Sequence, residues 1–222
     1  MEAVIKVGGS LAEEPTSIRA LCCKLSELAV AHRILIVPGG GKFADTVREF
    51  DRVFNLSDSS AHNMAILAMD QYGLFLSDIT PNSRTTTVLG MTKNSRGAGV
   101  TWIFLPSRLM VGRASVEHSW DVTSDSIAAY IAGELKAEKL ILVTDVDGVF
   151  TADPKQDPNA RLMETVTAGE LLSSDRRTSV DRFLPKILLR TRLDCYVVNG
   201  RYPKRVDAIL KGERVISTRI IV

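Results

Sequence analysis

Short apolar segments alternate with amphipathic segments along most of the chain, and this alternation constrains the fold more than any other feature. The clearest strand candidates are almost continuously apolar, as expected of strands that helices cover on both faces. They span residues 3–7, 33–37, 101–105, 139–143 and 195–198. Helices are predicted over residues 16–31, 59–75, 124–136, 168–173, 182–193 and 204–210. This order indicates an α/β protein with a mostly parallel sheet.

Polar segments and local signals separate the predicted elements. Residues 80–99 are rich in Thr, Asn, Ser, Arg and Gly, and predict a hairpin or a mobile loop. Residues 153–161 predict a polar loop. Thr167 followed by Glu170 predicts a capping box at the start of a helix, and Gly212 predicts a helix end.

The composition argues against several classes of protein. The chain has 222 residues and a net charge of +2, without a long basic run, so we expect no nucleic-acid partner. No apolar segment approaches the roughly 20 residues that span a bilayer, so we expect a soluble protein with no membrane partner. The three cysteines, Cys22, Cys23 and Cys195, lack metal-binding spacing, which favours a reducing compartment.

The first motif that indicates chemistry is Lys6 followed by Gly8, Gly9 and Ser10. A lysine inside a short apolar strand is costly unless an anion meets it, and glycines let backbone N–H groups approach that anion. The motif therefore predicts an anion site. An edge-strand lysine before an ordinary turn is the alternative.

The second motif is Gly39, Gly40, Gly41 and Lys42, directly after a predicted strand and before a helix. Open α/β sheets bind their ligands at the carboxyl ends of strands, where these glycines lie. The motif is not a P-loop, because Phe43 stands where Ser or Thr would follow the lysine, and it does not have the glycine spacing of a dinucleotide site.

Two charged side chains at predicted helix starts give weaker signals. Asp125 lies in the first turn of its helix, where it either complements the helix dipole or orients cations around a phosphate. Lys186 opens another helix after residues 179–185, and by itself it is an ordinary solvated lysine.

Asp145, Asp147 and Gly148 follow an apolar strand and allow three interpretations. A calcium loop would need a third oxygen ligand and a closing glutamate, which the segment lacks. A phosphatase of the haloacid dehalogenase type would use Asp145 as nucleophile and Asp147 as acid/base, but no Gly-Asp pair for magnesium follows. The third interpretation is a nucleotide-binding loop.

Taken in order, these motifs resemble the amino acid kinase family over nearly the whole chain. The resemblance implies a three-layer αβα sandwich with an open, mostly parallel sheet. It implies an ATP-dependent kinase that uses Mg²⁺ and acts on a small molecule. It also implies a single domain, with an acceptor lobe over about residues 1–120 and a nucleotide lobe over about residues 121–222.

The resemblance assigns roles to particular residues. Lys6 and Lys186 would stabilise the transferring phosphoryl group, and Asp125 would organise them, so these three are the predicted catalytic residues. Mg²⁺ would bridge the phosphates. The predicted ATP-binding residues are Lys6, Gly8, Gly9, Ser10, Thr144, Asp145, Gly148, Phe150, Asp153 and Lys186.

The acceptor is predicted by comparing subgroups of this family. Uridylate kinases carry an arginine shortly after the triple glycine, where this chain has residues 43–45, and an aspartate where this chain has His62. Isopentenyl phosphate kinases carry a histidine in place of Asp45. Residues 38–51, 61–73 and 120–129 most resemble the [5-(aminomethyl)furan-3-yl]methyl phosphate kinases of methanofuran biosynthesis, which convert a furan phosphate into its diphosphate.

For such an acceptor we predict that Asp45 or Asp70 binds the ammonium group and that Lys42, Arg48 or Arg113 binds the phosphate. The predicted acceptor-binding residues are Gly39, Gly40, Gly41, Lys42, Asp45, Arg48, His62, Asp70 and Arg113. Another monophosphate kinase, or a non-catalytic anion or nucleotide binder of the same fold, is the alternative. We expect a cytoplasmic homo-oligomer.

Overall fold

The computed structural model describes residues 1–90, 99–111, 122–152, 154, 156–173 and 178–222. In these residues eight strands span Ala3–Val7 (β1), Ile34–Pro38 (β2), Ser83–Thr86 (β3), Thr101–Phe104 (β4), Lys139–Thr144 (β5), Thr165–Thr167 (β6), Asp194–Asn199 (β7) and Thr218–Ile221 (β8). Eight α-helices span Pro15–Ala31 (α1), Gly41–Phe54 (α2), Asp58–Ile79 (α3), Ser107–Met110 (α4), Ser124–Glu134 (α5), Ala168–Ser173 (α6), Leu184–Thr191 (α7) and Lys204–Lys211 (α8). A 3₁₀ helix over Gly9–Glu13 connects β1 to α1.

The eight described strands form one sheet in the order β3-β4-β2-β1-β5-β7-β8-β6. Neighbouring strands run parallel except β7 and β8, which pair antiparallel. β1 is central, with Lys6 opposite Val37 of β2 and Leu142 of β5. The predicted α/β fold with a mostly parallel sheet is confirmed. The carboxyl ends of β1, β2 and β5 meet at one edge, where ligands of such sheets bind.

Helices cover both faces of the sheet because side chains alternate between the faces along each strand. Ile5 of β1 belongs to a buried cluster that α1 and α8 complete. Val4 belongs to a second cluster, to which α5 and α7 contribute. This arrangement confirms the predicted three-layer αβα sandwich. Lys6 lies two residues after Val4 and therefore points to the face that α5 covers.

The prediction of a hairpin or loop over residues 80–99 is wrong for its first part. Ser83–Thr86 is the edge strand β3, which pairs in parallel with β4. β-Branched threonines favour an extended conformation, and the unpaired side of an edge strand tolerates the polar composition. Residues 91–98 lie outside the described residues. The short strands β6 and β8 were not among the predicted strands.

Local capping signals are confirmed by their hydrogen bonds. The backbone N–H of Glu170 donates to Thr167 Oγ1 at 3.0 Å, and the N–H of Thr167 donates to Glu170 Oε2 at 2.7 Å. Gly212 ends α8 with a φ of 78°, a conformation that glycine adopts without strain. In the part of the chain that the structure describes, no helix is both long and apolar enough to cross a membrane.

Candidate active site

Lys6 and Asp125 form a buried ion pair at the centre of the sheet's carboxyl edge. The Nζ of Lys6 lies 2.8 Å from Oδ1 of Asp125, and only 11% and 9% of the two side chains are exposed. Asp125 reaches Lys6 from the first turn of α5, which packs over β1. The structure thus brings together two of the three predicted catalytic residues, and Asp125 does more than complement a helix dipole.

The two glycine motifs touch each other above this pair. A Cβ atom on Gly9 would lie 2.1 Å from the Cα of Gly41, and one on Gly40 would lie 2.4 Å from the Cβ of Ala44. Gly41 itself has a φ of +54°, which favours glycine. A side chain at Gly9 would push the two loops apart, and one at Gly40 would collide with the first turn of α2. The glycines thus permit the close approach that their pattern predicts.

Only part of the glycine backbone is available to bind a ligand. Gly8 donates its N–H to the carbonyl of Val143, and Gly39 donates its N–H to the carbonyl of Val7, each at 2.8 Å. The N–H groups of Gly9 and Ser10 make no such bond to another described residue. Among the predicted phosphate contacts, Gly9 and Ser10 therefore offer free donors, whereas Gly8 shapes the turn.

Tyr72 supports this turn, although no sequence pattern pointed to it. Its hydroxyl group donates a hydrogen bond of 3.1 Å to the carbonyl of Gly8, and its ring lies against Gly41. Burial raises the pKa of Tyr72 well above its usual range, with a smaller effect of Cys22, so the hydroxyl group stays a donor. A tyrosine among the apolar residues of a predicted helix is typical of a core residue, so its position alone does not indicate a role in the site.

A cavity of about 220 Å³ lies beside the glycine loops. It is lined by Gly9, Ser10, Glu13, Gly40, Gly41, Lys42, Ala44, Asp45, Arg48, Thr123 and Ser124. The 3₁₀ helix, α2 and the start of α5 form its walls. Five of the predicted acceptor residues are among these, whereas Glu13, Thr123 and Ser124 were not predicted to bind the acceptor.

The remaining predicted acceptor residues have different surroundings. His62 is buried and lines a small adjoining cavity of about 50 Å³, together with Arg48. Asp70 accepts hydrogen bonds from the N–H and the hydroxyl group of Ser107, and so holds the start of α4. Arg113 lies outside the described residues.

On the donor side, the predicted nucleotide residues follow β5 along one loop. The carbonyl of Thr144 accepts the N–H of Gly200 at 2.8 Å, and Thr144 Oγ1 lies 3.3 Å from Asp145 Oδ1. A Cβ at Gly148 would lie 2.3 Å from Thr218 Oγ1, so packing requires a glycine there. Phe150 pairs with Leu162, and Asp153 lies outside the described residues.

Asp147 does not have the surroundings of a phosphatase acid/base. Its Oδ1 accepts hydrogen bonds from Arg205 Nη1 at 2.5 Å and from Asn199 Nδ2 at 3.2 Å. These two donors already occupy this oxygen, whereas an acid/base must reach the proton of a substrate. This argues against the phosphatase interpretation, and a nucleotide site after β5 stays a prediction.

Lys186 forms no ion pair with Asp125 in the described residues. It is exposed on the first turn of α7, and its Nζ lies 5.0 Å from the centre of the Phe183 ring. Among the described residues it pairs with no acidic side chain. Its predicted contact with ATP stays a prediction.

A half-buried aspartate that the motifs did not single out connects α5 and α7. Asp181 Oδ2 accepts the N–H groups of Thr123 and Ser126 from α5, and its Oδ1 accepts those of Phe183 and Leu184 at the start of α7. Burial and the nearby charge of Asp125 raise the pKa of Asp181, while these hydrogen bonds oppose the rise. An aspartate just before a helix is a capping signal that could have identified it.

Comparison with known proteins identifies the family of this chain. The family model described as the amino acid kinase family matches residues 1–95 and 98–199. The chain belongs to the amino acid kinase family. The prediction of an ATP-dependent phosphotransferase is confirmed by this membership, and the glycine loops, the Lys6–Asp125 pair and the loop after β5 lie within the matched residues.

Individual members of the amino acid kinase family match over nearly the full length. The chain is 34% identical over 220 residues to a [5-(aminomethyl)furan-3-yl]methyl phosphate kinase of Methanocaldococcus jannaschii, covering 98% of this chain and 97% of that one. It is 28% identical over 235 residues to a uridylate kinase of Methanococcoides burtonii, covering 99% and 95%. The crystal structure of uridylate kinase from Archaeoglobus fulgidus superimposes with a TM-score of 0.77, at 26% identity, covering 99% of this chain and 100% of that one.

Proposed function

We propose that this member of the amino acid kinase family transfers the γ-phosphoryl group of ATP to the phosphate of a small, amine-bearing acceptor and forms a diphosphate. The acceptor we propose is [5-(aminomethyl)furan-3-yl]methyl phosphate. The similarity to the enzyme of that name over 98% of the chain supports this choice. The observation that carries it in the structure is the mixed charge of the 220 Å³ cavity, which combines Lys42 and Arg48 with Glu13 and Asp45.

Cations and carboxylates that line the same cavity suit a ligand that carries both signs of charge. Lys42 and Arg48 would bind the acceptor phosphate, because the guanidinium group of Arg48 carries several N–H donors besides those of Nη1, which is paired with Asp45. The N–H groups of Gly9 and Ser10 would contact the phosphoryl group between donor and acceptor. A carboxylate on the wall would bind the ammonium group.

The reaction needs no general base. A phosphate monoester is largely a dianion at neutral pH, since its second pKa is about 6. One of its oxygens can attack the γ-phosphorus directly, while the bond between that phosphorus and the bridging oxygen breaks and ADP leaves with the electron pair. Catalysis then consists of alignment and of neutralising charge. Asp125 has a role in this only through Lys6, which it holds.

Mg²⁺ fits this site as a companion of ATP. The described residues contain no group of three or more His, Cys, Asp or Glu side chains that could hold a metal ion. Mg²⁺ commonly takes most of its ligands from phosphates and water. Asp125 is not required as a ligand, because its Oδ1 already pairs with Lys6 at 2.8 Å. The ion would neutralise phosphate charge.

The experiment that tests this function is a panel of acceptors with ATP and Mg²⁺. We expect ADP release with the aminomethylfuran phosphate, and a diphosphate product identified by ³¹P NMR. UMP, isopentenyl phosphate, acetylglutamate and aspartate should give little or no turnover. Preferential turnover of UMP would make the protein a uridylate kinase instead. Tight ATP binding without turnover of any acceptor would favour a non-catalytic binder.

We further propose that two copies of the chain associate through α2 and α3. Phe43, Phe50, Met64 and Leu67 line an apolar groove of about 300 Å³, and the exposed Phe54 stacks on Phe50 beside it. A two-fold axis would let each copy place its aromatic ridge in the groove of the other. Light scattering should give a dimer or a multiple of it, and Phe50→Glu should give a monomer. A monomeric wild-type protein would contradict this.

The cytoplasm is the compartment we propose. The cysteines Cys22, Cys23 and Cys195 are free, and two of them are buried. Free thiols persist in reducing compartments, and ATP is available there.

A further inference from the structure

Three carboxylates could bind the ammonium group of the proposed acceptor, and two of them already have other partners in the structure. Asp45 Oδ1 lies 2.6 Å from Nη1 of Arg48, one turn along α2. Asp70 accepts two hydrogen bonds from Ser107. Neither is therefore well suited to bind a further cation, since its charge or its oxygens are already in use.

Glu13 carries the third carboxylate, which has no partner among the described residues. It lines the acceptor cavity together with Lys42 and Arg48. No hydrogen bond or ion pair joins its side chain to another residue in the described part of the chain. We propose that Glu13 is the specificity-determining residue that binds the ammonium group of the acceptor. This inference rests on the proposed function.

The backbone holds Glu13 in a fixed relation to the reacting groups. It ends the 3₁₀ helix that begins at Gly9, and Gly9 is in contact with Gly41 of the acceptor loop. Leu11 in the same helix is 3% exposed and packs against Gly200. The carboxylate is therefore carried by a segment that is anchored at Gly41 and in the core, as precise recognition requires.

Charge complementarity explains why this position would select an amine. Lys42 and Arg48 attract the phosphate end of the acceptor, and the carboxylate of Glu13 in the same cavity attracts the other end only if that end is cationic. An acceptor with a neutral group in place of the amine would leave Glu13 without a partner. The site would then distinguish the amine from an alcohol of the same size.

The test compares two acceptors in three proteins. The acceptors are the aminomethylfuran phosphate and its analogue with a hydroxymethyl group in place of the aminomethyl group. The proteins are the wild type, Glu13→Gln and the control Glu14→Gln. Glu14 is the adjacent glutamate. Its Oε2 lies 3.7 Å from Nε of Arg201, and Glu14 does not line the acceptor cavity.

We expect Glu13→Gln to raise the KM for the amine about 10- to 100-fold, the usual effect of losing a charged hydrogen bond. The KM for ATP and the turnover of the hydroxymethyl analogue should not change, and Glu14→Gln should resemble the wild type. Asp45→Asn should have a smaller effect on the amine than Glu13→Gln.

The outcomes separate this inference from the proposed function. If the wild type makes the diphosphate and Glu13→Gln keeps the same preference for the amine, Glu13 is not the ammonium partner, although the function stands. An equal loss with both acceptors would likewise overturn the role in specificity. If the wild type does not use the amine-bearing acceptor at all, the proposed function itself fails.

Discussion

Asp181 accepts a hydrogen bond of 2.9 Å from the backbone N–H of Ser126 and a second bond from the Ser126 hydroxyl group. The same carboxylate caps the start of α7, the helix that carries Lys186. It therefore joins the helix of Asp125 to the helix of Lys186. Because the two helices carry the predicted catalytic residues Asp125 and Lys186, their relative position should matter for turnover.

We predict that Asp181→Asn lowers kcat at least about 10-fold and destabilises the fold by about 2 kcal/mol or more, because an amide NH₂ would face N–H and O–H donors. Steady-state kinetics and urea unfolding measure the two effects. Asp194→Asn, which removes one partner of the Arg219 ion pair, is the control for loss of a carboxylate.

A double-mutant cycle separates positioning from a general loss of stability. If Asp181 acts partly through Lys186, combining Asp181→Asn with Lys186→Ala should slow kcat little more than Lys186→Ala alone. Fully additive effects on kcat would contradict that link.

Replacing Lys6 should abolish most of the catalytic charge stabilisation. We predict that Lys6→Ala lowers kcat roughly 100-fold or more, as removal of a preorganised charge stabiliser does. It also leaves Asp125 buried without its cation, which should lower the unfolding free energy by about 3 kcal/mol. Lys24→Ala, at a lysine paired with the exposed Glu27, is the control and should change neither quantity appreciably. Unchanged turnover in Lys6→Ala would remove Lys6 from the mechanism.

The contact between Gly9 and Gly41 predicts a strong effect of a single methyl group. We expect Gly9→Ala to cost about 1–3 kcal/mol of stability through overpacking and to displace the 3₁₀ helix, so that acceptor KM rises as well. Gly90→Ala is a matched control, because a Cβ at Gly90 meets nothing within 4 Å. Thermal unfolding and acceptor titrations provide the measurements, and equal behaviour of the two variants would contradict the close contact between the loops.

The capping box of α6 predicts a pH dependence of stability. Hydrogen bonds from the N–H and hydroxyl groups of Thr167 hold the pKa of Glu170 below its ordinary value. A depressed carboxylate pKa stabilises the fold above the unfolded-state value of about 4.3, and the benefit is lost as pH falls through the folded-state value. We expect Glu170→Gln to flatten the acid side of the stability profile, measured by urea unfolding between neutral pH and acid pH. An unchanged acid slope would show that the capping bond is not maintained in solution.

The capping box, the glycine motifs and the central strands were accessible to sequence reasoning because each depends on neighbouring residues. Thr167 and Glu170 are three positions apart and form the predicted bonds. The prediction for β3 was wrong because its four residues are polar, and its pairing with β4 across residues 87–100 is not local. The role of Tyr72 was missed for the same reason, since its partner Gly8 is 64 positions away.

The α/β class, the two glycine loops and the family resemblance follow from the order of residues alone, because hydrophobic period and turn chemistry are properties of short segments. Which charged groups meet depends instead on how the chain folds. The fold pairs Lys6 with Asp125, Asp45 with Arg48 and Asp70 with Ser107, and leaves Glu13 open on the cavity wall. The contacts of Lys6 and Asp70 depend on packing between distant segments, whereas Asp45 and Arg48 are neighbours on one helix. The structure decides which of these side chains still has oxygens or N–H groups to offer a ligand.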